Sequence, residues 1–179
     1  LGAPMVGNAA VAAMVRHPAA LYADLADPVA LLRAAPESRA DNALARYWAY
    51  DAAQHAPAAP PVGTYSALMA ASQPLVADEI LDAYDLRRHR CLLDVGGGDG
   101  RFLAIAAARE PALQLMLFDL PAVAAAAQAR FDAAGLSARA RAFGGSFLAD
   151  PLPRGADVVS LVRVIHDHDD ADAMTILDR

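Results

Sequence analysis

The sequence predicts an α/β fold, an open parallel sheet wound on both faces by helices and preceded by an all-helical region. Three observations predict it. Cys91 to Val95 is a short apolar run that ends in glycines at 96, 97, 98 and 100. Beyond it, strand-like and helix-like segments alternate to the end of the chain, which argues for a parallel sheet with right-handed crossovers. Before residue 85, every periodic segment reads as helix.

Taken in order, Ala9–Val15 and Pro18–Leu25 are rich in Ala, Leu and Met and read as helical. Ala30–Ala34 follows Asp27-Pro28, a capping residue and then a first-turn proline. Asp41–Gln54 carries Leu44, Tyr47, Trp48 and Asp51 at helical spacing, with Asp41 placed to cap it. Ala56–Gly63 holds three prolines and a glycine and reads as loop. Thr64–Tyr84 is helical, with Pro74 expected to kink or split it. After the basic link Arg87–Arg90 come strand 91–95, helix 101–109, strand 114–118, helix 121–134, strand 139–143, strand 156–162 and a helix from 170. The expected domains are therefore 1–85, helical, and 86–179, the sheet.

Composition bounds the function. The 179 residues are 56% hydrophobic, enough for a sizeable core. Mean hydropathy is +0.25, which points to an apolar interface or an apolar ligand pocket. Net charge is −6 with no basic block, so nucleic acid is not an expected partner. One cysteine, Cys91, cannot form a disulfide within the chain, which suits a reducing cytoplasm. No apolar run is long enough to span a membrane, and no signal-peptide pattern opens the chain. The sheet segment is short for a doubly wound domain, so the chain is expected to be a fragment of a longer protein, truncated at both ends.

The chemistry begins at Asp94-Val95-Gly96-Gly97-Gly98-Asp99-Gly100. Glycines let backbone turn sharply and approach a ligand closely, because no Cβ intervenes. A strand, then this turn, then a helix is the place where open α/β sheets bind nucleotide-like ligands. The dinucleotide fingerprint needs a third glycine where Arg101 stands. Asp94 would repel a pyrophosphate and suits a ligand that carries an ammonium or sulfonium. The competing reading is an ordinary tight turn. Asp119 closes the next apolar run, about 20 residues past the glycines, where a carboxylate can accept from ribose hydroxyls. It could equally cap the helix that starts at Pro121.

Gly144–Pro153 follows the third strand and reaches the same crevice, where Ser146 and Phe147 could meet an adenine; a plain surface turn is the rival. The last strand runs out into His166-Asp167-His168-Asp169-Asp170. Adjacent residues of an extended segment point to opposite faces, so a metal site ranks lowest. His166 is taken as a general base and Asp169 and Asp170 as helix-capping acids.

Leu93–Gly100, Phe118–Pro121, Asp150–Pro153 and Val164–His168 together resemble the plant-type, caffeate-like small-molecule O-methyltransferases in their bacterial branch. Tyr22–Arg33 and Leu161–Asp170 resemble the carotenoid branch of that family. The resemblance implies a class I methyltransferase, Rossmann-like sheet, truncated at its C-terminus, with S-adenosyl-L-methionine as cofactor. It implies cofactor contacts at Asp94, Gly96, Gly98, Asp119, Leu120, Ser146, Phe147 and Gln73. Relatives often have Asp where Ser146 stands and Trp where His168 stands. His166 corresponds to the catalytic base and Met69 to a residue lining the acceptor pocket. Acidic partners of the base are expected beyond Arg179.

The implied reaction is methyl transfer to a hydroxyl of an apolar small molecule, a hydroxylated carotenoid. The implied partner is a second copy, held through the helical region. The implied location is the cytoplasm, with peripheral association with the inner or photosynthetic membrane. Rival readings are a methyltransferase for another phenolic or polyketide acceptor, a nicotinamide oxidoreductase, and a non-catalytic dimerisation module with a vestigial cofactor domain.

Overall fold

The computed structural model describes residues 11, 22–33, 73–74 and 76–179. The chain forms two compact units, Leu1–Ser72 and Gln73–Arg179. Most of the helices expected in the first unit, together with the 56–63 loop and Met69, lie outside the described residues. Those described there are helix α1, Tyr22–Leu25, and helix α2, Pro28–Arg33. Asp27 caps α2 as expected, its Oδ1 accepting from the Ala30 N–H at 2.9 Å.

The second unit starts with a helix over 76–83, here α3. Its Ala77 is fully buried, and Ile80 and Leu81 pack on the sheet's core. This helix therefore belongs with the sheet, and the unit begins upstream of the boundary at 86 read from the sequence. Next come strand β1, Cys91–Val95, helix α4, Arg101–Arg109, strand β2, Gln114–Asp119, and helix α5, Pro121–Ala133. Strands β3, Ala140–Gly144, and β4, Val158–Ser160, and helix α6, Asp170–Leu177, follow. The first three strands and the helices between them fall within a residue or two of the sequence reading.

All pairings are parallel, and the strand order is β3-β2-β1-β4. Side chains alternate across the sheet. Leu92, Leu115 and Leu117 join Phe102, Leu103 and Phe131 on one face, and Leu93, Val95 and Phe118 form the core of the other. Asp94 and Asp119 keep the parity of Leu92 and Leu117, so both acids lie on the face covered by α4 and α5.

β4 is shorter than the 156–162 expected. Leu161 and Val162 continue the apolar pattern and pack on opposite cores, but after Ser160 the chain leaves the sheet. Arg163 takes φ 60°, a left-handed turn that no strand continues through. Apolar content alone does not report that bend.

Polar groups lock the ends of these elements. Arg139 donates to the carbonyls of Ala107 at 2.7 Å and Leu113 at 3.0 Å, covering the C-terminal end of α4. Asp157 accepts from the N–H groups of Arg90 and Cys91 at the start of β1. Gly100, at φ 77°, precedes α4, and a Cβ there would stand 2.6 Å from the Phe131 ring. Left-handed strain and overpacking add, so Gly100→Ala is expected to lower the unfolding free energy by about 2–4 kcal/mol in urea titrations. A loss within about 0.5 kcal/mol would show that the ring moves freely aside.

Candidate functional site

The chain steps outward from β1 to β2 and β3, then returns to the other side of β1 for β4. The strand order thus reverses between β1 and β4. In open α/β sheets the crevice at the carboxyl ends of such strands is the ligand site. The glycine turn after β1 and the segment after β4 form its two lips.

Gly96, Gly98 and Gly100 all have positive φ, which explains glycine at each. At Gly96 a Cβ would stand 2.7 Å from Val164 Cγ2, so the turn is pressed against the segment after β4. At Gly98 nothing lies within 4 Å of a Cβ position, and the backbone there is open to a ligand. The Gly96 N–H donates to the Phe118 carbonyl at 2.8 Å, extending the ladder toward β2.

Asp119 is 8% exposed. Its Oδ2 accepts from the Gly98 N–H at 2.8 Å and its Oδ1 from the Leu120 N–H at 2.7 Å. Leu120 precedes α5 and gives it no side-chain cap, and Pro121 opens the helix. The Asp119 side chain is therefore turned to the glycine turn rather than capping α5. A carboxylate has about four lone-pair sites, so two remain for ligand hydroxyls. Burial pushes its carboxyl above the usual range, against the two backbone N–H groups that lower it.

Asp94 is 1% exposed and sits beneath the turn. Its parallel-register partner is Ser160 of β4, whose hydroxyl donates to Oδ1 at 2.6 Å. Its Oδ2 lies 2.7 Å from where a Gly97 Cβ would stand. Burial raises its pKa to about 7, with the negative charge of Asp119 adding in the same direction and the Ser160 hydroxyl opposing. Asp94 is thus buried against the backbone of the turn that lines the crevice.

The loop after β3 reaches the same place. The Gly145 N–H donates to the Asp119 carbonyl at 2.9 Å. The Ser146 N–H donates to Asp150 Oδ2 at 2.8 Å, which closes a local turn. Phe147 lies 3.6 Å from the Cβ position of Gly96 and packs on the core of Leu93 and Val95. The His168 ring meets Phe147 edge-on, with centroids 5.3 Å apart.

The final segment is a 3₁₀ turn, Ile165–Asp167, followed by α6. Asp169 caps α6 as expected, accepting from the Asp172 N–H at 2.9 Å, and Asp170 begins the helix. His166 is exposed, with Nε2 3.2 Å from Asp167 Oδ1. An acid thus stands beside this imidazole on the next residue. Among the described residues, no group of three His, Cys, Asp or Glu side chains is placed to hold a metal ion. Gln73 is half-buried at the start of the second unit, and Met69 lies outside the described residues.

Ser160 and Val164 were not singled out in the sequence as crevice residues, and His168 was named without this place at the rim. Ser160 could have been found from strand register with Asp94. Val164 and His168 had no such signal, because their contacts depend on the bend after Ser160.

The O-methyltransferase domain family matches residues 22–179. Demethylspheroidene O-methyltransferase of Cereibacter sphaeroides is 48% identical over 99% of this chain and 46% of its own length. The Rhodobacter capsulatus protein of the same name is 45% identical over 95% of this chain and 41% of its own. Among solved structures, the O-methyltransferase NcsB1 from neocarzinostatin biosynthesis was crystallised with S-adenosylmethionine and 2-hydroxy-5-methyl naphthoic acid. It is 39% identical, with TM-score 0.61 over 65% of this chain and 35% of that one. The chain spans less than half the length of the curated relatives it matches.

The raised pKa of Asp94 carries a stability consequence. Between about pH 4 and 7 the folded chain holds a proton that an unfolded Asp94 has released, so this group makes stability fall as pH rises through that window. Asp119, also raised, acts with the same sign. Urea unfolding at pH 5 and pH 8 is expected to show Asp94→Asn losing less stability over the interval than the unaltered chain. Identical losses in the two would contradict the buried-acid assignment.

Proposed function

The chain belongs to the O-methyltransferase domain family, and on that premise we propose that it methylates a hydroxyl of an apolar small molecule with S-adenosylmethionine. The observation that carries the proposal is the crevice at the β1–β4 reversal, with open backbone at Gly98 and Asp119 bound to the same residue.

The residues present fit that cofactor. Gly96 and Gly98 offer backbone free of side chains to its amino-acid end. Asp119 keeps lone pairs for its ribose hydroxyls. Phe147 gives an apolar ring for its adenine, with Leu120 and Ser146 beside the same two loops. Asp94 supplies negative charge from beneath, which favours a cation and disfavours the pyrophosphate of a nicotinamide cofactor. When bound, S-adenosylmethionine supplies an electrophilic methyl group on a positively charged sulfur.

His166 is proposed as the base. Its Nε2 lies 3.2 Å from Asp167 Oδ1, which places an acid beside the imidazole. The imidazole takes the acceptor's hydroxyl proton and leaves the oxygen nucleophilic. A positioned base of this kind contributes about 10²–10⁴-fold. Holding the two reactants in line contributes the rest.

The acceptor is proposed to be a hydroxylated carotenoid, hydroxyneurosporene or demethylspheroidene. The near-half identity to two demethylspheroidene enzymes supports this choice over a phenolic or polyketide acceptor. Such an acceptor dissolves in lipid, so peripheral association with the inner or photosynthetic membrane from the cytoplasm is part of the proposal. Among the described residues no helix is long and apolar enough to cross a membrane. The helical region over 1–85 is proposed to hold a second copy and, through Met69, to line the acceptor pocket.

Pigments extracted from cells that lack the intact gene are expected to contain a hydroxylated, unmethylated carotenoid. Cells carrying His166→Ala are expected to accumulate the same compound, with cofactor affinity of the purified variant within about threefold of normal. Normal methoxy carotenoids in the deletion strain would point to another acceptor. Normal turnover in His166→Ala would remove His166 from the reaction.

A further inference from the structure

The two carboxyls at the crevice have unequal partners. Asp119 accepts two backbone N–H groups, whereas buried Asp94 accepts from one hydroxyl, that of Ser160. An ionised carboxylate at 1% exposure with one donor is poorly satisfied, and burying a charge without compensation is expensive. Of the groups that face it, Asp119 makes the charge less favourable still, and the Ser160 hydroxyl opposes it only in part. From β2 comes the negative Asp119, from β4 the neutral Ser160, and from the turn the backbone at Gly97. Arg130 of α5 pairs instead with Asp99 at 2.7 Å, and Arg101, which opens α4, brings its Nε 4.0 Å from the same carboxylate without a hydrogen bond. Among the described residues, then, no cation is recorded as acting on Asp94, yet its Oδ2 lies directly under the turn that lines the ligand crevice.

We propose that Asp94 is a proton-exchange site: arrival of a cationic ligand above Gly96–Gly98 expels the proton held on the buried Asp94 carboxyl. The ligand's positive charge then takes the place of the proton's, and the anion it leaves is the counter-charge that holds the ligand. An opposite charge within about 4–6 Å is enough to shift a carboxyl in this sense. The proton leaves Asp94 for solvent, and no covalent bond to the ligand forms or breaks. The inference rests on the S-adenosylmethionine reading and adds to it a proton linkage, with tighter binding as pH rises.

The test is calorimetric titration of the chain with S-adenosylmethionine in pairs of buffers that differ in ionisation enthalpy, which counts protons released per ligand bound. With the carboxyl half-protonated at about pH 7, release should approach one proton at pH 6 and fall to about a tenth of a proton at pH 8. The association constant should rise about tenfold over the same interval. In Asp94→Asn the release should vanish and the affinity become weaker and nearly flat. Should that variant not fold, infrared spectra of the unaltered chain give the answer. The carbonyl band of a protonated carboxyl should be present at pH 6 and disappear on adding ligand. Binding without proton release at pH 6, release that persists in Asp94→Asn, or a carbonyl band unchanged by ligand overturns the inference and leaves the cofactor reading standing. Failure of the unaltered chain to bind S-adenosylmethionine at either pH overturns the cofactor reading, and this inference with it.

Discussion

Asp119 joins the loops of the crevice to one another. Its side chain takes the N–H of Gly98 from the turn after β1, and its carbonyl takes the N–H of Gly145 from the loop after β3. One residue at the tip of an inner strand thus fixes the spacing of two loops of the crevice. The third wall follows by contact. With Gly96 held to β2 through the Phe118 carbonyl, Val164 closes on it, and Phe147 and His168 complete the rim. Each of these contacts needs a small or shaped partner, which is why glycine stands at 96 and 145. At Gly145 a Cβ would stand 2.6 Å from the Phe118 ring.

This arrangement sets two carboxyls near each other in a poorly hydrated place. The fold compensates one of them well and the other sparsely. Such an imbalance is costly to a chain with no ligand and useful to one whose ligand is a cation, because the missing compensation is then supplied on binding.

Much of this was legible in the chain itself. The strand and helix limits from Cys91 to Gly144 follow from apolar runs separated by glycine and proline, because a buried parallel strand admits few alternatives. Asp119 could be located because it ends such a run, though its turn toward Gly98 rather than α5 is a tertiary choice. The limits of sequence reading show after Ser160. There an apolar stretch continues while the backbone bends at Arg163, and the neighbours of Gly96 and Phe147 are set by that bend. The placement of 76–83 was equally hidden, since a helix read as part of the helical region packs its Ala77 into the sheet's core. Periodicity identifies a buried face and does not say which core buries it.

The central claim is that the turn and Asp119 together grip a sulfonium nucleoside. Equilibrium dialysis of the chain against S-adenosylmethionine and against NAD, with Asp119→Ala alongside, tests it most directly. Saturable binding of S-adenosylmethionine is expected, with no saturable binding of NAD and at least a tenfold loss of affinity in Asp119→Ala, the scale of lost hydrogen bonds to a charged group. Preferential binding of NAD, or S-adenosylmethionine affinity unchanged in Asp119→Ala, would contradict it.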